Sequence, residues 1–489
     1  MSDLWDDASA AETEEPGEQA VIHRRVGFAL VSGLAWISAL PFATGCVSEN
    51  AGYDDVRKIT SERIAQQVHW RGHDSQDDNS DAETQKLLQK PLTADDAVQV
   101  ALLNNAALQG AFENLGVARG QLLHAFRLPN PTVGAAVRFG AEARPEIDVD
   151  AMLSLSEFLF MPWRKSAANA DFDATKLLVA QRAVDLAFQT RGAFFGYQAA
   201  AQQLELERTV LQSLRASANA AQAQHQAGNV TDLTLANEQA LYEEARIAYA
   251  RAEEVQIVAR EQLNALMGLW GKRGASWQAA THMTEPLPSE PLLSNLEQRA
   301  IENNLPLQLS QKKFEAAGRT ADLSSLEGWV PDLKGGISAE RREGGWGLGP
   351  RAELEIPLFY QGQGERAIAL AEMRRERKVF EDTTVQVRAR ARALAARLAA
   401  AERNARFYQA TVLPLRQTVV NETQLEYNAM GVGVFQLLQA KRDQISAAKA
   451  YVDLLHDYWA TRTQVEQLLA GSVSLPGWAP ESASTSSPP

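Results

Sequence analysis

The chain is 489 residues long, 45% hydrophobic and 22% charged, with a net charge of −13. That is ample apolar material for a large folded body and excludes wholesale disorder. The acidic balance, with Lys and Arg scattered among acids, excludes a nucleic-acid partner, because phosphate contacts need clustered cations.

Residues 1–20 are strongly acidic (Asp3, Asp6, Asp7, Glu12, Glu14, Glu15, Glu18), the wrong sign for the n-region of a signal. A translation start nearer Val21 would remove them, and no structural role is assigned to them. Arg24 and Arg25 then precede the uncharged run VGFALVSGLAWISALPFATG at 26–45, which ends in small residues before Cys46. Residues 1–45 thus read as a secretory signal region. A retained membrane helix is the other reading of the run, although Gly33, Ser38 and Pro41 make it a mediocre span. The sequence ATGC at 43–46 resembles a bacterial lipobox. The resemblance implies a diacylglyceryl group on Cys46, which becomes the mature N-terminus; Ala43 departs from the usual Leu, and ordinary cleavage is the alternative. Cys46 is the single cysteine, which excludes an intramolecular disulfide and a Cys-based zinc site.

Residues 46–90 are expected to be a lipidated polar tether, since runs such as HDSQDDNSDAE offer nothing to bury. The folded body starts near Pro91, and residues 472–489 read as a mobile Pro/Ser tail. Between them the chain repeats itself with a shift of about 200 residues. ALLNNAALQ at 101–109 matches AIENNLPLQ at 300–308, FLF at 158–160 aligns with PLF at 357–359, and QAGNVTDLTLANEQ at 226–239 answers AMGVGVFQLLQAKR at 429–442. The halves are 91–284 and 285–471, separated by the connector EPLPSEP.

Each half reads as helix, two strands, a very long helix, a turn and a returning helix. In the first half a helix is expected over 93–127, with Thr93 as N-cap. A long helix follows Pro162 to 226, and after Gly228 the chain returns over 233–267, ending at Gly268 and Gly271. In the second half the long helix spans 364–430, kinked at Pro414, and the return spans 435–470. A coiled-coil rod would fit such segments, but not what lies between them. IDVDAMLSLS at 147–156 alternates strictly, with Ile147, Val149, Ala151, Leu153 and Leu155 apolar; RAELEIPL alternates through Ala352, Leu354 and Ile356; TVGAAVRFG follows the same pattern and LKGGISAE follows it weakly. A pair of half-buried soluble hairpins would also alternate. Length and flanking aromatics (Phe158, Phe160, Trp163, Trp329, Phe359, Tyr360) instead suit tilted transmembrane strands, with Ile147, Val149, Leu153, Leu155, Leu354 and Ile356 facing lipid. Four strands cannot close a membrane barrel, so the barrel must be shared between copies.

From about Pro91 to Gly471 the chain resembles an outer-membrane factor of the TolC-like family. The resemblance rests on the repeated A-x-x-NN-x-x-LQ starts, Pro129 and Pro331 before each first strand, the tips at Gly228 and Gly431, and LNALMGL at 263–269. It implies a mainly α protomer with a transmembrane β part, internally duplicated, and a homotrimer with a twelve-strand outer-membrane barrel above a periplasmic helical tunnel. It also implies passive conduction of cargo from an inner-membrane efflux pump, with a periplasmic adaptor (membrane fusion) protein docking at the tips Gly228, Asn229, Val230 and Gly431, Val432, Gly433, Val434. LPNP at 128–131 looks like the heavy-metal efflux branch.

Asp232, beside the first tip, is a candidate for a charged ring in the lumen and equally for a helix N-cap. GGWGLG at 344–349 reads as a hairpin loop. His282 and Met283 in the connector read as ordinary loop residues rather than metal ligands. No GxxxxGK[ST], HExxH or paired nucleophile and base occurs, so neither an enzyme nor a cofactor is expected. A periplasmic coiled-coil structural lipoprotein and the exit duct of a type I protein secretion system are the rival readings.

Overall fold

The computed structural model describes residues 52–71, 77–139, 145–279, 282–287, 291–342, 345–356 and 358–473. All of them belong to one compact unit, 50–489. The signal region, Cys46 and residues 474–489 lie outside the described residues.

Two helices, α1 (Tyr53–Ile64) and α2 (Asp77–Leu88), come first. This corrects the expected polar tether: Tyr53, Val56, Val68, Trp70 and Leu88 are buried against the body. These apolar residues are too sparse to show a period, yet each finds a slot. Helix α3 (Ala94–Asn104) opens on a capping box in which Thr93 Oγ1 accepts from the Asp96 N–H at 3.2 Å and Asp96 accepts from the Thr93 N–H at 3.1 Å. Helix α4 (Ala106–Ala125) follows at once. The single helix expected over 93–127 is therefore two, because Asn105 is extended and its side chain caps α4 by accepting from the Leu108 N–H at 3.0 Å.

Strands β1 (Thr132–Arg138) and β2 (Glu146–Ser154) lead into α5 (Leu155–Gln226), 72 residues that at ~1.5 Å each run about 108 Å. Ser154 caps α5, so it starts before Pro162 rather than after it, and the proline lies inside the helix. Helix α6 (Asp232–Met267) returns and ends at Gly268, followed by α7 (Gly271–Ser276). The second half runs α8 (Leu296–Glu302), α9 (Leu305–Glu327), β3 (Asp332–Arg342), β4 (Gly345–Glu355), α10 (Gln363–Phe407), a π turn (Tyr408–Val412), α11 (Leu413–Asn428) and α12 (Val434–Leu469). The interruption expected at Pro414 is thus a five-residue π turn just ahead of it, which absorbs the missing backbone donor. Residues 345–349, read as loop, belong to β4.

The strands form one antiparallel sheet in the order β1-β2-β3-β4, leaving β1 and β4 as edges. Below it α5 packs against α3, α4, α6, α9 and α12, whereas the substantial packing of α11 is against α12 alone. One core gathers Val56, Trp70, Leu102, Phe112, Phe194, Met267 and Trp277; another gathers Leu296, Ala391, Leu398, Tyr458 and Leu468.

The repeated Asn-Asn motif forms a junction in each half. Asn304 caps α9 by accepting from the Leu307 N–H at 2.9 Å, as Asn105 caps α4. The return helices dock on these turns. Gly268 (φ 65°) and Gly471 (φ 89°) are left-handed, and a Cβ on either would collide with the carbonyl of Asn104 or Asn303. The Leu305 N–H donates to the Gly471 carbonyl at 2.7 Å, and Asn105 Nδ2 to that of Leu266 at 2.9 Å. Ser472 and Val473 are buried beyond this point, so the C-terminal tail starts later than expected.

Candidate functional site

In an antiparallel ladder, directly paired residues share a face. Val133 pairs with Ala151, Ala135 with Val149 and Val137 with Ile147; Ala151 in turn pairs with Ile337, and Ala339 with Leu348. One face therefore carries Val133, Val137, Ile147, Val149, Leu153, Ile337, Leu348 and Leu354, with Arg341 as its charged member near the sheet's far end. Much of it is open: Val133 is 73% exposed and Leu348 76%. Leu155 and Ile356 lie outside the strands. Leu155 is the first residue of α5, where the Ser154 cap turns the chain out of the sheet, and Ile356 follows the last residue of β4.

The opposite face carries Arg138, Glu146, Asp148, Asp150, Asp332, Lys334, Glu340, Arg351, Glu353 and Glu355. Its charges pair across the strands: Arg138 with Asp148 at 2.7 Å, Arg351 with Asp150 at 3.4 Å and Lys334 with Glu353 at 3.5 Å. Acids outnumber bases, so the face stays net acidic. Where it meets the helices there is a recess of about 840 Å³, lined by Asp150, Ser154, Ser156, Asp332 and Glu353 among others. Ser154 and Ser156 both donate to Asp332, tying the end of β2 and the start of α5 to β3. Asp332 was not singled out in the sequence, because Gly335 and Gly336 blur the alternation of β3.

Around the helix end of the sheet, Phe158, Trp163, Trp329, Phe359 and Tyr360 are exposed, Phe359 at 96%. Phe160 departs from the expected girdle and is buried.

At the other end of the long helices, Gly228 is left-handed and the Asn229 N–H donates to the Gln224 carbonyl at 2.8 Å. Val230 is half-buried. At the second tip the left-handed residue is Met430 (φ 59°), not Gly431, and Met430 is 93% exposed. Val432 and Val434 are half-buried. Gly433 is the N-cap of α12 and its N–H donates to Gln436 Oε1 at 3.0 Å. Asp232 is not an N-cap: Thr231 is, and the Asp232 carboxylate meets His225 Nε2 at 2.6 Å. Met283 is buried and His282 lies 3.6 Å from Glu205. Among the described residues no cluster of three or more His, Cys, Asp or Glu is placed to hold a metal ion, and no helix is long and apolar enough to cross a membrane.

No family model matches the chain. The chain is 20% identical over 381 residues, 78% of its length and 90% of the relative's, to the cobalt-zinc-cadmium resistance protein CzcC of Cupriavidus metallidurans. It superposes on the Campylobacter jejuni CmeC outer membrane channel with a TM-score of 0.67, at 15% identity, covering 78% of this chain and 86% of that one. A membrane protein from Pseudomonas aeruginosa gives a TM-score of 0.66 at 18% identity, over 83% and 94%. The fold is that of the TolC-like outer-membrane channels.

Proposed function

We propose that this chain is the outer-membrane channel component of a tripartite efflux system, working as a passive duct. The sheet carries the reading: a face that is apolar except for Arg341 near its far end backs onto a net acidic, ion-paired face, and both edges are unpaired. An apolar face suits lipid and a charged face suits water, while unpaired edges are not tolerated in lipid. Three copies then give a twelve-strand barrel, β4 of one meeting β1 of the next. Ile147, Val149, Leu153 and Leu354 face lipid, and the exposed aromatic residues sit at the interface. The matching order of elements in the two halves, with an Asn-Asn junction in each, supports an internal duplication.

In this reading Cys46 carries the lipid anchor in the outer membrane. The hairpins α5–α6 and α11–α12 reach into the periplasm, where residues 228–230 and 430–434 dock the adaptor that links the duct to an inner-membrane pump. Divalent metal ions are the cargo best supported, by the name of the Cupriavidus relative and by the acidic sheet face, which would concentrate cations along the path. Energy comes from the pump.

Val149→Lys and Asp148→Lys test the reading, because they place the same charge on opposite faces. A lysine at a mid-membrane lipid position costs about 2–4 kcal/mol, against little in a lumen. Val149→Lys should abolish heat-sensitive oligomers and bilayer conductance, while Asp148→Lys should insert and conduct with weakened cation preference. Equal insertion and conductance of the two variants would refute the membrane assignment.

A further inference from the structure

The N-terminal segment grips both Asn-Asn junctions at once. Arg63, in the last turn of α1, donates from Nη1 to the carbonyls of Asn303 at 2.5 Å and Ala470 at 2.9 Å. These two residues are the C-caps of α8 and α12. One guanidinium therefore satisfies orphan carbonyls of two helices and places its charge at the negative end of both dipoles. It is half-buried, and burial lowers its pKa.

Eight residues later the same segment meets the first junction. Arg71 donates from Nε to the Leu103 carbonyl at 3.1 Å and from Nη2 to Asn104 Oδ1 at 2.6 Å. Gln109 reads the segment as a strand would: its Oε1 accepts from the Arg71 N–H and its Nε2 donates to the His69 carbonyl, both at 2.9 Å. Trp70 is 1% exposed, stacked on Phe112, and donates to Glu113 at 3.0 Å.

We propose that residues 53–71 form a clasp that holds the two junctions in fixed relation, so that the position of one half's helix ends is transmitted to the other through Arg63 and Arg71. The clasp is a positioning device, and it stands whether or not the chain conducts anything. A segment that merely covered exposed core would bury apolar side chains. This one also sends a guanidinium into each junction, and those junctions are some 200 residues apart in sequence.

The experiment is hydrogen exchange read peptide by peptide on the full-length chain, comparing Arg63→Ala and Arg71→Ala with the parent. Arg63→Ala should speed exchange at least tenfold at 303–308 and 468–473, its own junction, and at least threefold at 103–109, the other one. Arg71→Ala should give the mirror pattern. Arg63→Lys keeps the charge but loses the fork, and should fall between parent and Arg63→Ala with the same two-junction signature; if Arg63→Ala does not fold, this variant carries the test. Faster exchange confined to the substituted junction, or to neither, overturns the clasp.

Discussion

The two long helices do the same job by different means. Helix α5 runs 72 residues without a break and carries a dense buried stretch from Ala170 to Gln202, with neighbours on several sides. Its counterpart is α10, the π turn and α11, where the ladder is interrupted and the lower part leans on α12 alone. Val420 is the buried residue of α11. Helical regularity over such lengths is a property of lateral packing more than of propensity. Where neighbours surround the helix its ladder is unbroken, and Pro162 lies ahead of that stretch in the first turns; where they fall away, a proline coincides with an inserted residue.

The largest effect should come from removing packing on the well-supported helix. Phe194 is 2% exposed, and Phe194→Ala should cost about 3–5 kcal/mol. Val420→Ala, which removes two methyl groups, should cost about 2 kcal/mol. Denaturant unfolding checks both, and equal losses would erase the contrast between the helices. The junctions share their cap: Asn105→Ala and Asn304→Ala each lose an N-cap worth about 1 kcal/mol, Asn105→Ala losing the bond to the Leu266 carbonyl as well, and a larger loss at Asn304 than at Asn105 would show that the two halves are not built on the same turn.

A pH scan separates a charge from its hydrogen bonds where α5 meets the end of α12. Asp185 accepts from Gln467 at 2.8 Å and from Ser472. Burial raises its pKa against those bonds and the nearby Arg182. A carboxyl with a raised folded-state pKa binds its proton more tightly when folded. Its stabilising contribution is therefore complete below the ordinary carboxylate range and is lost as pH rises through the raised value. Asp185→Asn can keep both accepted bonds without the charge, and should flatten that part of the melting-temperature profile. An unchanged slope would show that Asp185 is ionised at no cost. The smallest effect is expected at the first tip, where Asp232→Asn weakens an exposed contact with His225 and should change stability by less than about 0.5 kcal/mol.

What was legible in the sequence depended on whether the cause was local. The N-cap at Thr93, the glycine ending α6 and the alternation of Ile147 to Leu153 and of Ala352 to Leu354 all follow from neighbouring residues, and they stand where expected. The two Asn-Asn motifs were visible as a repeat, but not their docking with Gly268 and Gly471, which are over 160 residues away. The clasp was unreadable because Tyr53, Val68 and Trp70 have no period, and their burial depends on Phe112 and Gln109. At the second tip, Gly431 drew the eye, yet the left-handed position fell on Met430 beside it. Leu155 continued the strand's alternation perfectly, and only the cap at Ser154 took it into the helix.

The unpaired edges of β1 and β4 have a consequence for energetics. Backbone groups left open in a hydrocarbon cost several kcal/mol apiece, so on the proposed reading a lone copy has no folded state in the bilayer to compare with an unfolded one. Its melting point is then a mass-action quantity that rises with the number of copies sharing the membrane. Dilution into excess lipid should act on this chain as a denaturant does on a soluble domain.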